Sequence, residues 1–73
     1  LPQYNTLDKF TDIKCITNCS NIRILVNGKD KKYKAEKLTD GVYVFRQIKL
    51  KKDVNFIEVS ADDEYDSTEI VRY

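Results

Sequence analysis

Apolar and polar residues alternate with a period of two along most of this chain, the pattern of strands that bury one face. Ile13, Cys15 and Thr17 share one face of a first clear strand, with Lys14 and Ile16 on the other. Ile22, Ile24 and Val26 line the inner face of the next strand, and Arg23 and Leu25 alternate with them. Asn18-Cys19-Ser20-Asn21 between the two is rich in side chains that stabilise turns. Asn27-Gly28 tolerates positive φ at both positions and predicts a hairpin, with a return strand over roughly Lys31 to Leu38. The same stretch, Lys29 to Leu38, is made of good helix formers, so a short helix is the alternative there.

Asp40-Gly41 marks another turn. Tyr43 and Phe45 then fall on one face, and Val42 and Val44 on the other. Phe45 and Ile48 are out of phase, and a one-residue β-bulge between them keeps Tyr43, Phe45, Ile48 and Leu50 on the core side. A charged turn is expected at Lys51-Lys52-Asp53. Beyond it Ile57, Val59 and Ala61 face inward, while Phe56, Glu58 and Ser60 face out. Asp62 to Asp66 reads as an acidic loop, and Ile70 and Arg72 alternate with Val71 and Tyr73 in a last strand. The predicted fold is all-β, a sandwich of six or seven short antiparallel strands over residues 12–73. Residues 1–11 are a lead-in linker or a first edge strand. The expected core is Ile13, Cys15, Ile22, Ile24, Val26, Tyr43, Phe45, Ile48, Leu50, Ile57, Val59 and Ala61.

Composition narrows the function. A 73-residue chain makes one thin-cored domain with no room for a deep catalytic cleft. Thirteen basic and twelve acidic residues leave a formal charge of +1, which gives no general affinity for nucleic acid or for a membrane surface. No apolar run is longer than the four residues Val42 to Phe45, far too short to span a bilayer. The missing initiator Met points to a processed product or a piece of a larger protein. There is no His, no glycine-rich phosphate loop and no nucleophile beside a recognisable base, so the chain reads as a non-enzyme.

Three sequence stretches resemble a known family. Val26-Asn27-Gly28-Lys29 closes a valine-containing strand. Gly41, Tyr43 and Phe45 alternate ahead of Leu50. Asn55, Ile57, Val59, Ala61 and Asp63 alternate through the last third. Together they resemble the bacterial immunoglobulin-like domains appended to secreted glycoside hydrolases and surface proteins. The stretch from Cys15 to Lys29 is also similar to the non-catalytic immunoglobulin-like C-terminal domains of some family 2 glycosidases. Asp53 stands near the place where the family's turn glycine is usual, and Asp tolerates left-handed geometry better than most residues. The resemblance implies an immunoglobulin-like β-sandwich and a non-catalytic accessory or spacer role. It implies an extracellular or cell-surface protein, a glycoside hydrolase being one candidate parent, with the neighbouring domains as partners. The alternative is a module that binds carbohydrate or a surface receptor.

Candidate site residues follow from phase and chemistry. Tyr33, Phe56, Tyr65 and Tyr73 are aromatics without an assured core place, able to stack on a sugar or cover an interdomain seam. Asp62, Asp63, Glu64 and Asp66 crowd one stretch whose carboxylates could supply calcium ligands, although the loop lacks the glycine that a calcium loop uses for its sharp turn. A solvated acidic loop is the plainer reading, and no cofactor is required. Cys15 and Cys19 are either two thiols or a small disulfide loop, and two thiolates without further ligands do not complete a zinc site. The lysines from Lys29 to Lys37 read as protection of an edge strand.

Overall fold

The computed structural model describes residues 3–73. The chain forms seven strands: β1 (Gln3–Thr6), β2 (Phe10–Ile16), β3 (Ile22–Val26), β4 (Ala35–Thr39), β5 (Val42–Lys49), β6 (Asp53–Ala61) and β7 (Glu64–Arg72). They build an all-β sandwich of two sheets, β1-β7-β6-β3 and β2-β5-β4. All pairings are antiparallel except one. β1 runs parallel to β7, from Gln3 beside Glu69 to Thr6 beside Arg72, which corrects the expectation of a wholly antiparallel arrangement. The lead-in expected over residues 1–11 therefore contains a sheet strand, and β2 already begins at Phe10; Leu1 and Pro2 lie outside the described residues. Among the described residues no helix is long and apolar enough to cross a membrane.

Two hairpins stay within a sheet. β4 returns to β5 through Asp40-Gly41, where Gly41 has φ +76°. β6 returns to β7 through Asp62-Asp63 alone. The acidic stretch is thus a tight turn followed by a strand, not a loop. At Asn27-Gly28 both φ values are positive, 53° and 79°, and Val26 and Lys29 exchange backbone hydrogen bonds of 2.9 and 3.1 Å. The hairpin ends at that one bridge. Asp30 accepts the Lys32 N–H at 2.9 Å, Lys32 takes φ +62°, and the chain crosses to the other sheet. Residues 31–34 are therefore irregular, and β4 pairs with β5 rather than with β3. The helix alternative does not form.

The bulge falls where the phase argument puts it. Ile13 pairs with Phe45 and Thr11 with Ile48, so β5 carries one residue more than β2. Gln47 absorbs it with φ +58°, and its N–H donates to Asp12 Oδ1 at 2.9 Å. Arg46 beside it bridges the whole three-stranded sheet, reaching Glu36 on β4 and Asp12 on β2. The turn before β6 is held by Asp53 at φ +71°.

Ile24, Val26, Phe45, Ile48, Leu50, Ile57 and Ile70 form the core, with Ile13, Ile22, Tyr33, Ala35 and Val59 packed against it. Fully burying one such side chain stabilises by about 1.5–3 kcal/mol. Ala61 is buried as expected, whereas Cys15 and its cross-strand partner Tyr43 are only half-buried. Ile70 is a core residue that alternation alone left unassigned. Val44 is also buried but stands outside that cluster, since it faces away from Phe45 between Lys14 and Glu36 on the neighbouring strands.

The one buried polar residue among the described residues is Asn55, at 0% exposure. Its Oδ1 accepts the Lys51 N–H at 2.9 Å and the Asn27 Nδ2 at 3.2 Å. Its Nδ2 donates to the Lys51 carbonyl at 2.8 Å and the Ile70 carbonyl at 3.2 Å. A single amide thus ties the β5–β6 turn to β3 and β7. This satisfies the rule that a buried polar group be hydrogen-bonded.

The molecule measures 33 × 22 × 21 Å. A nine-residue strand such as β6 spans about 30 Å, so the strands run along the long axis and the turns gather at its two ends.

Candidate functional site

The outer face of the four-stranded sheet gathers most of the predicted aromatic positions. Phe56 pairs with Glu69 and Tyr65 with Ser60, and both side chains alternate with inward-facing core residues. Phe56 is 36% exposed, Tyr65 63% and Tyr73 65%. Alternation brings further apolar side chains to the same face: Val54 opposite Val71, and Leu25 opposite Glu58. Of these, alternation in the sequence marks only Leu25 as outward; the face of Val71 is settled by its register with Val54, and Val54 itself stands next to a charged turn. The result is an apolar stripe along β3, β6 and β7, with Glu58 and Glu69 set among its side chains and the two tyrosines at its ends.

Tyr65 is held in place. Its hydroxyl donates to Glu58 Oε2 at 2.8 Å, and that bond pushes the phenol's ionisation upward. The ring therefore stands on the sheet as a fixed, neutral surface. Tyr33 does not belong to this face. It is half-buried against the core, and its hydroxyl accepts the Lys49 N–H at 3.2 Å, so it braces the three-stranded sheet. Tyr4 lies elsewhere too, beside Ile13 and Ile70 in a cleft of about 520 Å³ between the two sheets.

The acidic residues divide. Asp62 and Asp63 form the turn. Glu64 and Asp66 start β7 and line a cleft with Cys15 and Lys14. Among the described residues no group of three or more acidic, Cys or His side chains is arranged to hold a metal ion.

Both cysteines are free thiols. Thr17 closes the turn after β2, accepting the Cys19 N–H at 3.1 Å. Cys19 Sγ donates to Glu64 Oε1 at 2.9 Å, and the Thr17 hydroxyl donates to the same oxygen at 3.1 Å. The bond to Glu64 is the chief reason the Cys19 thiol is pushed up to about 11, and the same bond lowers Glu64. Cys15 is raised as well, first by burial and then by Asp66 and Glu64. Thiolates are the nucleophilic form, so neither cysteine is activated near neutral pH. This cluster locks two turns together.

Comparisons with family models, with curated proteins and with solved structures return no match for this chain.

Proposed function

We propose that this chain is a non-catalytic accessory domain of immunoglobulin-like topology, making interdomain or protein contacts within a larger secreted or cell-surface protein. The topology supports the first half of this reading. In an immunoglobulin constant-type sandwich, strands C, F and G share one sheet and A, B, E and D the other. Lettered in chain order, β3-β6-β7 and β2-β5-β4 have the same neighbours, and only β1 stands in the opposite sheet.

The role rests on one observation, the apolar stripe of Leu25, Val54, Phe56 and Val71 with exposed tyrosines at its edge. Interfaces concentrate aromatic and apolar side chains at their centre and polar ones at the rim. Covering this stripe with a neighbouring domain removes it from water. Hydroxyl-radical footprinting of the isolated chain and of a longer protein containing it tests the reading. Protection of Leu25, Phe56 and Tyr65 in the longer protein is expected, with Tyr4 on the other side unchanged. Equal labelling of the stripe in both would sink it.

The second reading is a carbohydrate- or receptor-binding module. Tyr65, with its hydroxyl tethered and most of its ring exposed, favours it, because a ring already fixed in place loses little entropy on stacking. A glycan array followed by NMR titration separates the two. Shifts clustered on Phe56, Tyr65 and Tyr73 raise this reading above the first, and silence at millimolar sugar removes carbohydrate.

A further inference from the structure

The near-zero net charge conceals a strong separation along the long axis. One end is formed by the β1–β2 connection, the Asn27-Gly28 turn, the β5–β6 turn and the last residues of β7. The Leu50 N–H bonds to the Lys9 carbonyl at 2.8 Å, Arg72 to the Leu50 carbonyl at 3.1 Å, and Asn55 joins Lys51 to Asn27. This end presents Lys9, Lys29, Lys31, Lys49, Lys51 and Lys52, all exposed, against the carboxylates of Asp8, Asp30 and Asp53. The opposite end is formed by the β2–β3, β4–β5 and β6–β7 turns. There the Thr17 N–H bonds to the Gly41 carbonyl at 2.9 Å, and Thr17 and Cys19 bond to Glu64. It presents Asp40, Asp62, Asp63 and Glu64; Lys37 pairs with Asp40, and Lys14 lines a cleft with Glu64 while Arg23 and Lys34 line one with Asp62.

A second observation concerns where the ion pairs are. Arg23 and Lys32 pair with Asp30, which neighbours the cationic end, and Arg46 pairs with Asp12 and Glu36 across the three-stranded sheet. Lys37 takes Asp40. Among the described residues, the six lysines of the cationic end and Asp62, Asp63 and Glu64 of the acidic end have no ion-pair partner within the chain. Hydrogen bonds between the turns join each end together, so the segments that carry these charges lie about 30 Å apart.

We infer that the two ends dock head-to-tail, the lysine end of one copy of this chain against the carboxylate end of a second copy. Two unsatisfied fields of opposite sign at opposite poles of one molecule satisfy each other only between molecules. Such a contact joins different patches on each partner, so it is heterologous and extends into rows rather than closing as a two-fold dimer. A polyanion at the lysine end would leave the carboxylate end without a role, which is why a second copy is the better occupant. The inference rests on charge placement and stands apart from the role of the apolar stripe.

Sedimentation velocity with two charge-reversed variants tests it. Asp40→Lys with Asp63→Lys makes both ends positive. Lys51→Glu with Lys52→Glu weakens the positive end and moves it toward negative. All four positions are exposed side chains, and circular dichroism confirms that each variant keeps the sandwich. At about 20 mM salt the unaltered chain should show a sedimentation coefficient that rises with concentration and does not level off at a dimer. The association should weaken by about tenfold or more at 0.5 M salt, where the screening length falls to a few ångströms. Each variant alone should remain monomeric, and an equimolar mixture of the two should regain association. An unaltered chain that stays monomeric at millimolar concentration in low salt would overturn the inference. So would variants that self-associate as strongly as the parent, or a mixture that does not recover.

Discussion

Replacing Asn55 by alanine removes a buried amide that joins the β5–β6 turn to the rest of the four-stranded sheet. The substitution takes away bonds to the Lys51 N–H and carbonyl, the Ile70 carbonyl and the Asn27 side chain. Lys51 and Asn27 are exposed residues, so water recovers some of what they lose. The Ile70 carbonyl belongs to a buried residue and is left without this donor. At a net value of about 1 kcal/mol for each replaceable bond, and about 1–3 kcal/mol for the orphaned group, the loss comes to ~3 kcal/mol. A domain of this size holds roughly 4–11 kcal/mol in total. The midpoint of thermal unfolding should therefore fall by about 12–24 °C. Urea unfolding followed by circular dichroism gives the free energy directly. The internal comparison is Ile57→Val, which trims one methyl from a residue at 0% exposure and should cost about 1 kcal/mol. If Asn55→Ala proved cheaper than Ile57→Val, the amide would be a passenger and the account of this turn would be wrong.

The Asn27-Gly28 turn gives a backbone test. Gly28 has φ +79° with no atom within 4 Å of a built Cβ, so Gly28→Ala should cost about 1–2 kcal/mol from conformation alone, and equal stability of the two chains would refute this. Cys19 gives a chemical one. With its thiol at about 11, alkylation by iodoacetamide should be slow at pH 8 and accelerate as pH climbs toward that value, and Glu64→Gln should speed it by exchanging the anionic acceptor that holds the proton for a neutral, weaker one. Because the folded value lies above the ordinary thiol value of 9.0, the Cys19–Glu64 bond contributes stability that is present below pH 9 and is lost as pH rises from about 9 to 11. An unfolding midpoint flat across that window in the parent but falling in Cys19→Ser would contradict the assignment.

Much of the sandwich was legible because a strand's side chains alternate and its phase errors are informative. Phe45 and Ile48 could share a core only through a bulge, and Gln47 supplies it. The partner of β4 was not legible. An Asn-Gly pair reports how the chain reverses, not how long it stays reversed, and the Asp30–Lys32 turn that diverts it is a weak local signal. Asn55 carried an unused clue, since it occupies the same inward phase as Ile57, Val59 and Ala61; a polar residue in that register is either a phase error or a buried hydrogen-bonding group. The outer stripe was half visible through Leu25 and Phe56. The separation of charge was not visible at all, because Lys9, Lys29 and Lys51 become neighbours only once the turns of different strands are stacked at one end.

The parallel pairing of β1 with β7 determines how the domain carries load. A pull that enters along β1 and leaves along β7 drags two neighbouring, same-direction strands in opposite senses along their length. Their cross-links from Gln3–Glu69 to Thr6–Arg72, and the bond from the Tyr73 N–H to the Thr6 carbonyl at 3.0 Å, then resist together in shear. In a hairpin pulled at its open end the bonds would break in succession. Rupture under tension therefore requires the whole β1–β7 seam to fail at once, which makes this short seam the mechanical fuse of the domain.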